Sequence, residues 1–286
     1  MNPESRKLAS GLYLIATPIG TARDITLRAL DILTSADLLV AEDTRSLRKL
    51  MEIHGIPLRD RRVLAYHDHN GDKVRPRLIQ ALGQGKSVVY ASEAGTPMVA
   101  DPGFDLARSV VAEGHSLISA PGPSAVITAL TLAGLPTDRF FFGGFLPTAS
   151  GKRKTALAEL APVTATLVFY ESPKRVAAML SDAAQALGPT RRAVVCRELT
   201  KKFEEVMRGT LGELAELCSE RPLKGEIVVL IDRGDKEVVS DSDLETALRM
   251  ALQTLSVRDA ANQVSAQYSL PRRKVYQQAL AMSKEA

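Results

Sequence analysis

The chain has 286 residues, 45% hydrophobic and 24% charged, with a formal charge of +4. That composition is globular and long enough for two medium domains with a small appendage. Apolar runs of only a few residues exclude a helix of the roughly 20 residues that spans a bilayer. The opening MNPESRKLAS carries no apolar core of signal-peptide length, so a cytoplasmic location is expected.

From Leu12 onward, short apolar runs alternate with segments of helical period, so the expected class is α/β. The first strand is LYLIA, Leu12 to Ala16. The helix after it sets Ile25, Ala29, Leu30 and Leu33 on one face, which predicts packing on a sheet. DLLVAED follows with a helix stopped by Gly55, RVLAYHDHN with one ending near Gly85, and SVVYASEAG with one ending near Gly114. HSLISAPG completes five strands. Their run-like hydrophobicity points to a mostly parallel sheet buried on both faces. DRFFFGGFLPTAS, from Asp138 to Ser150, breaks the rhythm and reads as a domain connection. A smaller α/β series then carries strands ATLVFYES, RRAVVCREL and GEIVVLID, with helices around Val176 to Leu187 and Leu211 to Leu217. After Asp235, three helical segments follow without a strand, DSDLETALRMALQTL, VRDAANQVSAQYS and PRRKVYQQALAM, as in a helix-turn-helix unit. The expected organisation is an α/β domain over 1–121, a second over 122–236 that completes a cleft, and a helical tail over 237–286.

Three knots of positive charge, Lys152 to Lys154, Lys201 with Lys202, and Arg272 to Lys274, tilt the expected partner toward a polyanion. Cys196 and Cys218 form neither a disulfide framework nor a CxxC metal pair. No GxGxxG follows a strand, which removes the usual dinucleotide turn. GQGKS at Gly83 to Ser87 has Gln80 where a P-loop needs its first glycine, and it precedes a strand instead of following one.

The loops at the carboxyl ends of the five strands are TPIGTARD, AEDTR, HDHN, SEAGTPMVADPG and PGPSA. Ligand crevices in open parallel sheets form at those ends, so the five loops converge on one candidate site. Together with GLPTDRF, GFLP, FYESP, RELTK and KGE, these loops make the chain resemble the tetrapyrrole-methylase-like methyltransferases, in the branch that modifies small-subunit ribosomal RNA. The resemblance runs from about Gly11 to Ile231. It implies two domains with S-adenosyl-L-methionine in the cleft between them, 2′-O-methylation of a cytidine in the decoding region of 16S rRNA, a homodimer, and no metal. Thr21 and Ala22 stand where the family pattern has Asn-Leu, Glu93 where it has aspartate, and Lys174 where it has histidine.

In that setting Pro18 and Gly20 would let backbone approach the cofactor closely, and Ser92, Glu93, Ala94 and Gly95 would place a hydroxyl, a carboxylate and a turn beside it. Ser124 and Ala125, at a helix start, would offer free N–H groups, and Phe169 with Tyr170 would wall the adenine. Methyl transfer from a sulfonium is an in-line displacement, so orientation of the acceptor oxygen should dominate catalysis. Glu171, Asp43 and His67 are candidate proton acceptors, and Arg45, Lys174 and Arg175 candidate phosphate grips. His67 and His69, two apart on a strand, would share a face with Asp68 nearby. No further ligand is evident, so hydrogen bonding or RNA contact is the expected use. Competing readings are a methyltransferase of this fold acting on a small tetrapyrrole-like molecule, a metal-dependent phosphohydrolase using HDHN and AEDTR, and a non-catalytic RNA-binding module.

Overall fold

The computed structural model describes residues 6–67, 70–99, 103–234, 241–268 and 270–285. The chain divides into two compact units, Met1–Arg233 and Gly234–Ala286.

The first unit contains two five-stranded sheets. In the first sheet, β1 (Gly11–Ile15), β2 (Leu38–Ala41), β3 (Val63–Ala65), β4 (Ser87–Ala91) and β5 (Leu117–Ala120) run in the order β3-β2-β4-β1-β5, every pairing parallel. Each strand returns through a helix: α1 (Leu27–Ser35), α2 (Thr44–Ile53), α3 (Gly71–Gly83) and α4 (Phe104–Ala112). One face of the sheet buries Ile15, Leu39 and Val89 with Leu33 and Met51 of α1 and α2; the other buries Leu12, Val40 and Tyr90 with Leu78 and Leu106 of α3 and α4. With both faces covered, the strands need no polar alternation, which is why they read as apolar runs. Parallel pairing also brings all five carboxyl-end loops to one edge.

The second sheet is mixed. β6 (Phe140–Phe145), β7 (Thr166–Glu171), β8 (Arg192–Arg197), β9 (Glu205–Thr210) and β10 (Ile227–Ile231) take the order β6-β7-β10-β8-β9, with only β6 and β7 parallel. α6 (Ser150–Leu160), α7 (Val176–Leu187) and α8 (Leu211–Glu220) cover one face, burying Leu157, Phe169, Met179 and Leu214. The opposite face packs Val168, Cys196 and Leu230 under α5 (Ala125–Ala133), and Ile19 from the loop after β1 joins that core.

Three elements depart from the sequence expectation. DRFFFGGFLPTAS is not merely a connection, because its phenylalanines form edge strand β6. The strand shifts register between Phe142 and Phe145, where a side chain on Gly143 would lie 2.4 Å from the Phe169 ring. β9, EVMRGT, escapes a hydrophobicity reading because its only two apolar residues, Val206 and Met207, are adjacent and face opposite sides, so the strand carries almost no period. α6 was hidden beneath its own charges. Its Arg153 is 4% exposed, and its guanidinium bonds Asp182 Oδ2 at 2.7 Å and the carbonyl of Thr148 at 3.1 Å. The knot Lys152 to Lys154 is therefore not a patch of three free cations, and Arg153 is a buried structural ion.

In the second unit α9 (Asp241–Leu252), α10 (Val257–Gln267) and α11 (Arg272–Glu285) enclose Leu244, Leu248, Ala260, Val264, Val275 and Ala279. Ser256 caps α10 by accepting from the Asp259 amide at 3.2 Å. Arg272, Arg273 and Lys274 are exposed on the first turn of α11. Among the described residues no helix is long and apolar enough to cross a membrane.

Candidate active site at the edge of the parallel sheet

The loops after β1 and β4 are zipped together. Thr17 N–H donates to Gly95 O at 2.9 Å and Gly95 N–H returns to Thr17 O at 3.0 Å. The Ser92 hydroxyl donates to Gly95 O at 2.7 Å, so Ser92, expected to offer that hydroxyl to a ligand, uses it to shape its own turn and is only 4% exposed. Thr96 extends the zipper to the loop after β5 by donating to Pro123 O at 2.8 Å. These bonds spend polar groups of the loops on one another and leave a rigid floor.

Above the floor lies a cleft of about 510 Å³, lined by Thr17, Pro18 and Gly20 of the first loop, Ser92 and Glu93 of the fourth, and Asp43, Arg45, Lys49 and Ile53 along α2. Asp43 is the N-cap of α2. Its Oδ1 accepts from the Arg45 amide at 2.7 Å and the Ser46 amide at 3.3 Å, while Arg45 Nη2 reaches Oδ2 at 3.0 Å. The Arg45 hydrogen bonds hold this carboxyl at about 2, so Asp43 is a poor proton acceptor near neutral pH and its role is to start the helix. Glu93 is its opposite. Burial, then the charges of Glu42, Asp43 and Glu226, push its carboxyl above the usual range. Ala94 is exposed beside it at the tip of the turn.

A second group gathers at the start of α5. Ser124 is its N-cap residue and makes no side-chain cap bond, and Ala125 opens the helix. Tyr170 turns its hydroxyl to the Val126 amide, and its ring meets those of Phe142 and Phe145 with centroids 5.0 and 5.7 Å away. Burial raises this phenol. Phe169, expected to share that wall, points the other way because successive strand residues face opposite sides. It is 0% exposed among Met179 and Leu214 and presents no surface to a ligand.

The remaining candidates, like Ala94, Gly95, Ser124, Ala125, Phe169 and Tyr170, lie outside the cleft lining. Glu171 ends β7, 3% exposed. Its Oε1 accepts from the Ser172 amide at 2.7 Å and its Oε2 stands 3.1 Å from Arg175 Nη2 without an aligned hydrogen bond. Arg175 donates in turn to Leu146 O at 2.8 Å. That pair ties β7 to the exit of β6; a general base or a phosphate grip would have to break it. Lys174 is exposed beside the pair. His67 lies beyond the end of β3, its amide donating to Asn70 Oδ1 at 2.9 Å, so the shared strand face expected for a histidine pair does not form at this position. Asp68 and His69 fall outside the described residues. Among the described residues no cluster of three or more metal-ligating side chains occurs.

One contact beside the cleft was not anticipated from sequence, where Lys201 counted only as part of a basic knot: the turn Glu198–Lys201 of RELTK, which meets Gly20 of the lining. A side chain on Gly20 would lie 2.5 Å from Lys201 Cγ and 2.6 Å from Thr200 Oγ1, so glycine permits the two lobes to meet there. Thr21 N–H donates to Thr200 Oγ1 at 3.2 Å, and the Thr21 hydroxyl bonds the Thr200 carbonyl. Glu198 at φ 51 and Thr200 at φ 62 both adopt left-handed backbone, costly above all for a β-branched residue. The Thr200 amide is held by Glu204 Oε2 at 2.6 Å, and Lys201 Nζ bridges Glu198 at 2.9 Å and Glu226 at 2.7 Å. The signal in sequence was Gly20 followed by Thr21, a small pair where something had to come close.

With this geometry in hand, the likeness to known proteins is specific. The model of the Tetrapyrrole (Corrin/Porphyrin) Methylases matches residues 11–215, and that of the RsmI C-terminal HTH domain matches 238–283. A ribosomal RNA small subunit methyltransferase I of Mesorhizobium japonicum is 44% identical over 91% of this chain and 88% of its own. One from Escherichia coli O157:H7 is 38% identical over 94% of each chain. Among solved structures, the uroporphyrin-III C-methyltransferase of Thermus thermophilus complexed with S-adenyl homocysteine shares the fold, with a TM-score of 0.54 and 19% identity over 78% of this chain and 97% of that one. The chain belongs to the tetrapyrrole methylase family, in the group of the ribosomal RNA small subunit methyltransferase I proteins.

Proposed function

We propose that the chain transfers a methyl group from S-adenosyl-L-methionine to the ribose 2′-oxygen of a cytidine in the decoding region of 16S rRNA, in the cytoplasm and as a homodimer. The observation that carries this reading is likeness to ribosomal RNA methyltransferases along nearly the whole chain, with a cleft at the edge where the five loops converge. The residues present suit the cofactor. The volume is that of a small-molecule site. Glu93 sets negative charge beside a ligand that carries a sulfonium and an ammonium, while Asp43 is matched by Arg45. Pro18 and Gly20 offer close backbone, and Ser124 and Ala125 a helix start that the Ser124 side chain leaves uncapped, though Tyr170 takes the Val126 amide. When bound, the cofactor supplies an electrophilic methyl group. With Asp43 acidified and Glu171 buried in its ion pair, the chain's own contribution is to align the acceptor oxygen and exclude water. A domain division near residue 121 is supported by the packing of α5 on β8, β9 and β10. The homodimer is supported by Phe140, Phe141 and Phe145, exposed on edge strand β6, and sedimentation at micromolar concentration tests it.

The decisive experiment compares 16S rRNA carrying a 2′-deoxy sugar at the target cytidine with the unmodified RNA. The deoxy substrate should bind nearly as well and accept no methyl group. Methylation of it would place the modification on the base and overturn the ribose assignment.

A further inference from the structure

Phe203 is 61% exposed, on the loop that joins the RELTK turn to β9. Single exposed apolar residues are common and carry nothing by themselves. This one differs in three respects. Its backbone is fixed: Arg197 Nη1 donates to the Phe203 carbonyl at 3.3 Å and Glu204 N–H to Lys201 O at 3.1 Å, just after the left-handed Thr200. It stands two residues from Lys201, whose stem packs against Gly20 in the cleft wall. It also carries a cation of its own, with Lys202 Nζ 5.5 Å from its ring centroid, while on α2 the exposed Arg45 and Lys49 line the cleft and Arg48 is exposed between them. Lys201 is not one of these cations, because Glu198 and Glu226 neutralise it.

An aromatic face on a fixed backbone, with cations beside it and beside the cleft, matches the chemistry of an unpaired nucleotide, with a base to stack and phosphates on either side. We propose that Phe203 is the stacking platform for an unpaired base next to the methylated nucleotide, and that Lys202 and the basic face of α2 hold the adjoining phosphates. The inference rests on the assignment of RNA as substrate. It would also give the left-handed backbone at Thr200 a purpose, since that turn sets the course of the chain from the Gly20 contact to Phe203.

The test uses the full chain with an RNA fragment that presents the target cytidine unpaired. Phe203→Ala should raise the KM for RNA about 5- to 150-fold, the range measured for loss of one stacked base, with kcat within about twofold and calorimetric affinity for S-adenosyl-L-methionine unchanged. Phe203→Trp should restore KM and Phe203→Leu should not. In wild type, 2-aminopurine at the neighbouring nucleotide should be quenched on binding, and the quenching should vanish in Phe203→Ala. Transfer to RNA by wild type with equal KM in Phe203→Ala overturns the platform alone, as does full rescue by leucine. Failure of wild type to methylate any RNA overturns the substrate assignment and the platform with it.

Discussion

Lys152, Arg153 and Lys154 on α6 and Arg272, Arg273 and Lys274 at the start of α11 are alike in sequence, three consecutive cations each, and unlike in the fold. The middle residue of the first set is sealed against Asp182 at 2.6 Å, with both side chains at most 8% exposed, whereas all three of the second face solvent. The difference is one of helical phase: α6 turns position 153 toward α7, and the only way to bury a guanidinium there is to give it a carboxylate and carbonyls. Charge clustering therefore locates a polyanion surface only after burial has removed the members that serve the core.

Arg153→Ala should be the most damaging substitution on that contrast. It strands Asp182 in the interior and should cost about 3–5 kcal/mol of stability, read by urea unfolding. A paired Arg153→Met, Asp182→Leu variant should recover most of the loss. If Arg153→Ala leaves the midpoint in place, the ion pair is not structural. Neutralising Arg272, Arg273 and Lys274 to glutamine should do the reverse, leaving the urea midpoint alone and weakening RNA binding. With about 0.7 to 0.9 released counterions per phosphate contact, three lost contacts flatten the salt slope by about 2 to 3 and lower affinity on the order of 100-fold at 0.15 M salt. An unchanged slope would remove these three from the RNA surface.

The same contrast separates what the sequence discloses from what it hides. Five parallel strands, their order of appearance and the loop edge are visible because a strand buried on both faces is an uninterrupted apolar run, as LYLIA and SVVYA are. Pro18, Gly20, Glu93, Asp43 and Arg45 were legible as cleft residues because their loops follow such strands. β6 and β9 were not, since FFFGGF is interrupted by two glycines and EVMRGT carries only two apolar residues, nor was the direction of Phe169, which alternation fixes only once the covered faces are known. The pairing of Thr21 with Thr200 joins residues 179 positions apart, and only tertiary structure brings them together.

Gly20 tests that long-range contact directly. A methyl group there would sit 2.5 Å from Lys201 Cγ and 2.6 Å from Thr200 Oγ1. The lysine stem can swing but the threonine is fixed by its backbone bonds, so Gly20→Ala should cost about 1–2 kcal/mol through overpacking. Cofactor affinity should fall about tenfold by calorimetry, because the cleft wall moves. Gly55→Ala has open space around it, yet its φ of 66 also disfavours alanine, which makes it the control for backbone strain remote from the cleft. Equal losses of cofactor affinity in the two variants would show that the contact with Lys201 and Thr200 does not shape the site.

The smallest effect concerns Glu93 against Asp43, two carboxyls lining one cleft and shifted in opposite directions. A carboxyl raised in the fold binds its proton more tightly there than in the unfolded chain, so its contribution to stability falls as pH climbs from the ordinary value of 4.5 through the raised one, and then levels off. Glu93→Gln removes the charge that burial and Glu42, Asp43 and Glu226 oppose. Without cofactor, the variant should melt higher than wild type above that window and equal to it below. The gain should be about 0.5 kcal/mol or less, because the group is exposed enough for solvent to screen it, or about 1–2 °C in Tm. Asp43→Asn should show the opposite sign. Its carboxylate is held at about 2, so the bonds it makes as a cap are present above the ordinary 3.8 and are lost in wild type only as pH falls toward 2. Thermal melts of both variants between pH 3 and 8 read the two slopes side by side. A Glu93→Gln variant that melts lower than wild type at neutral pH would mean that the carboxylate is stabilised by a partner in the cleft, and that the acidic rim is not the strained feature its neighbours make it.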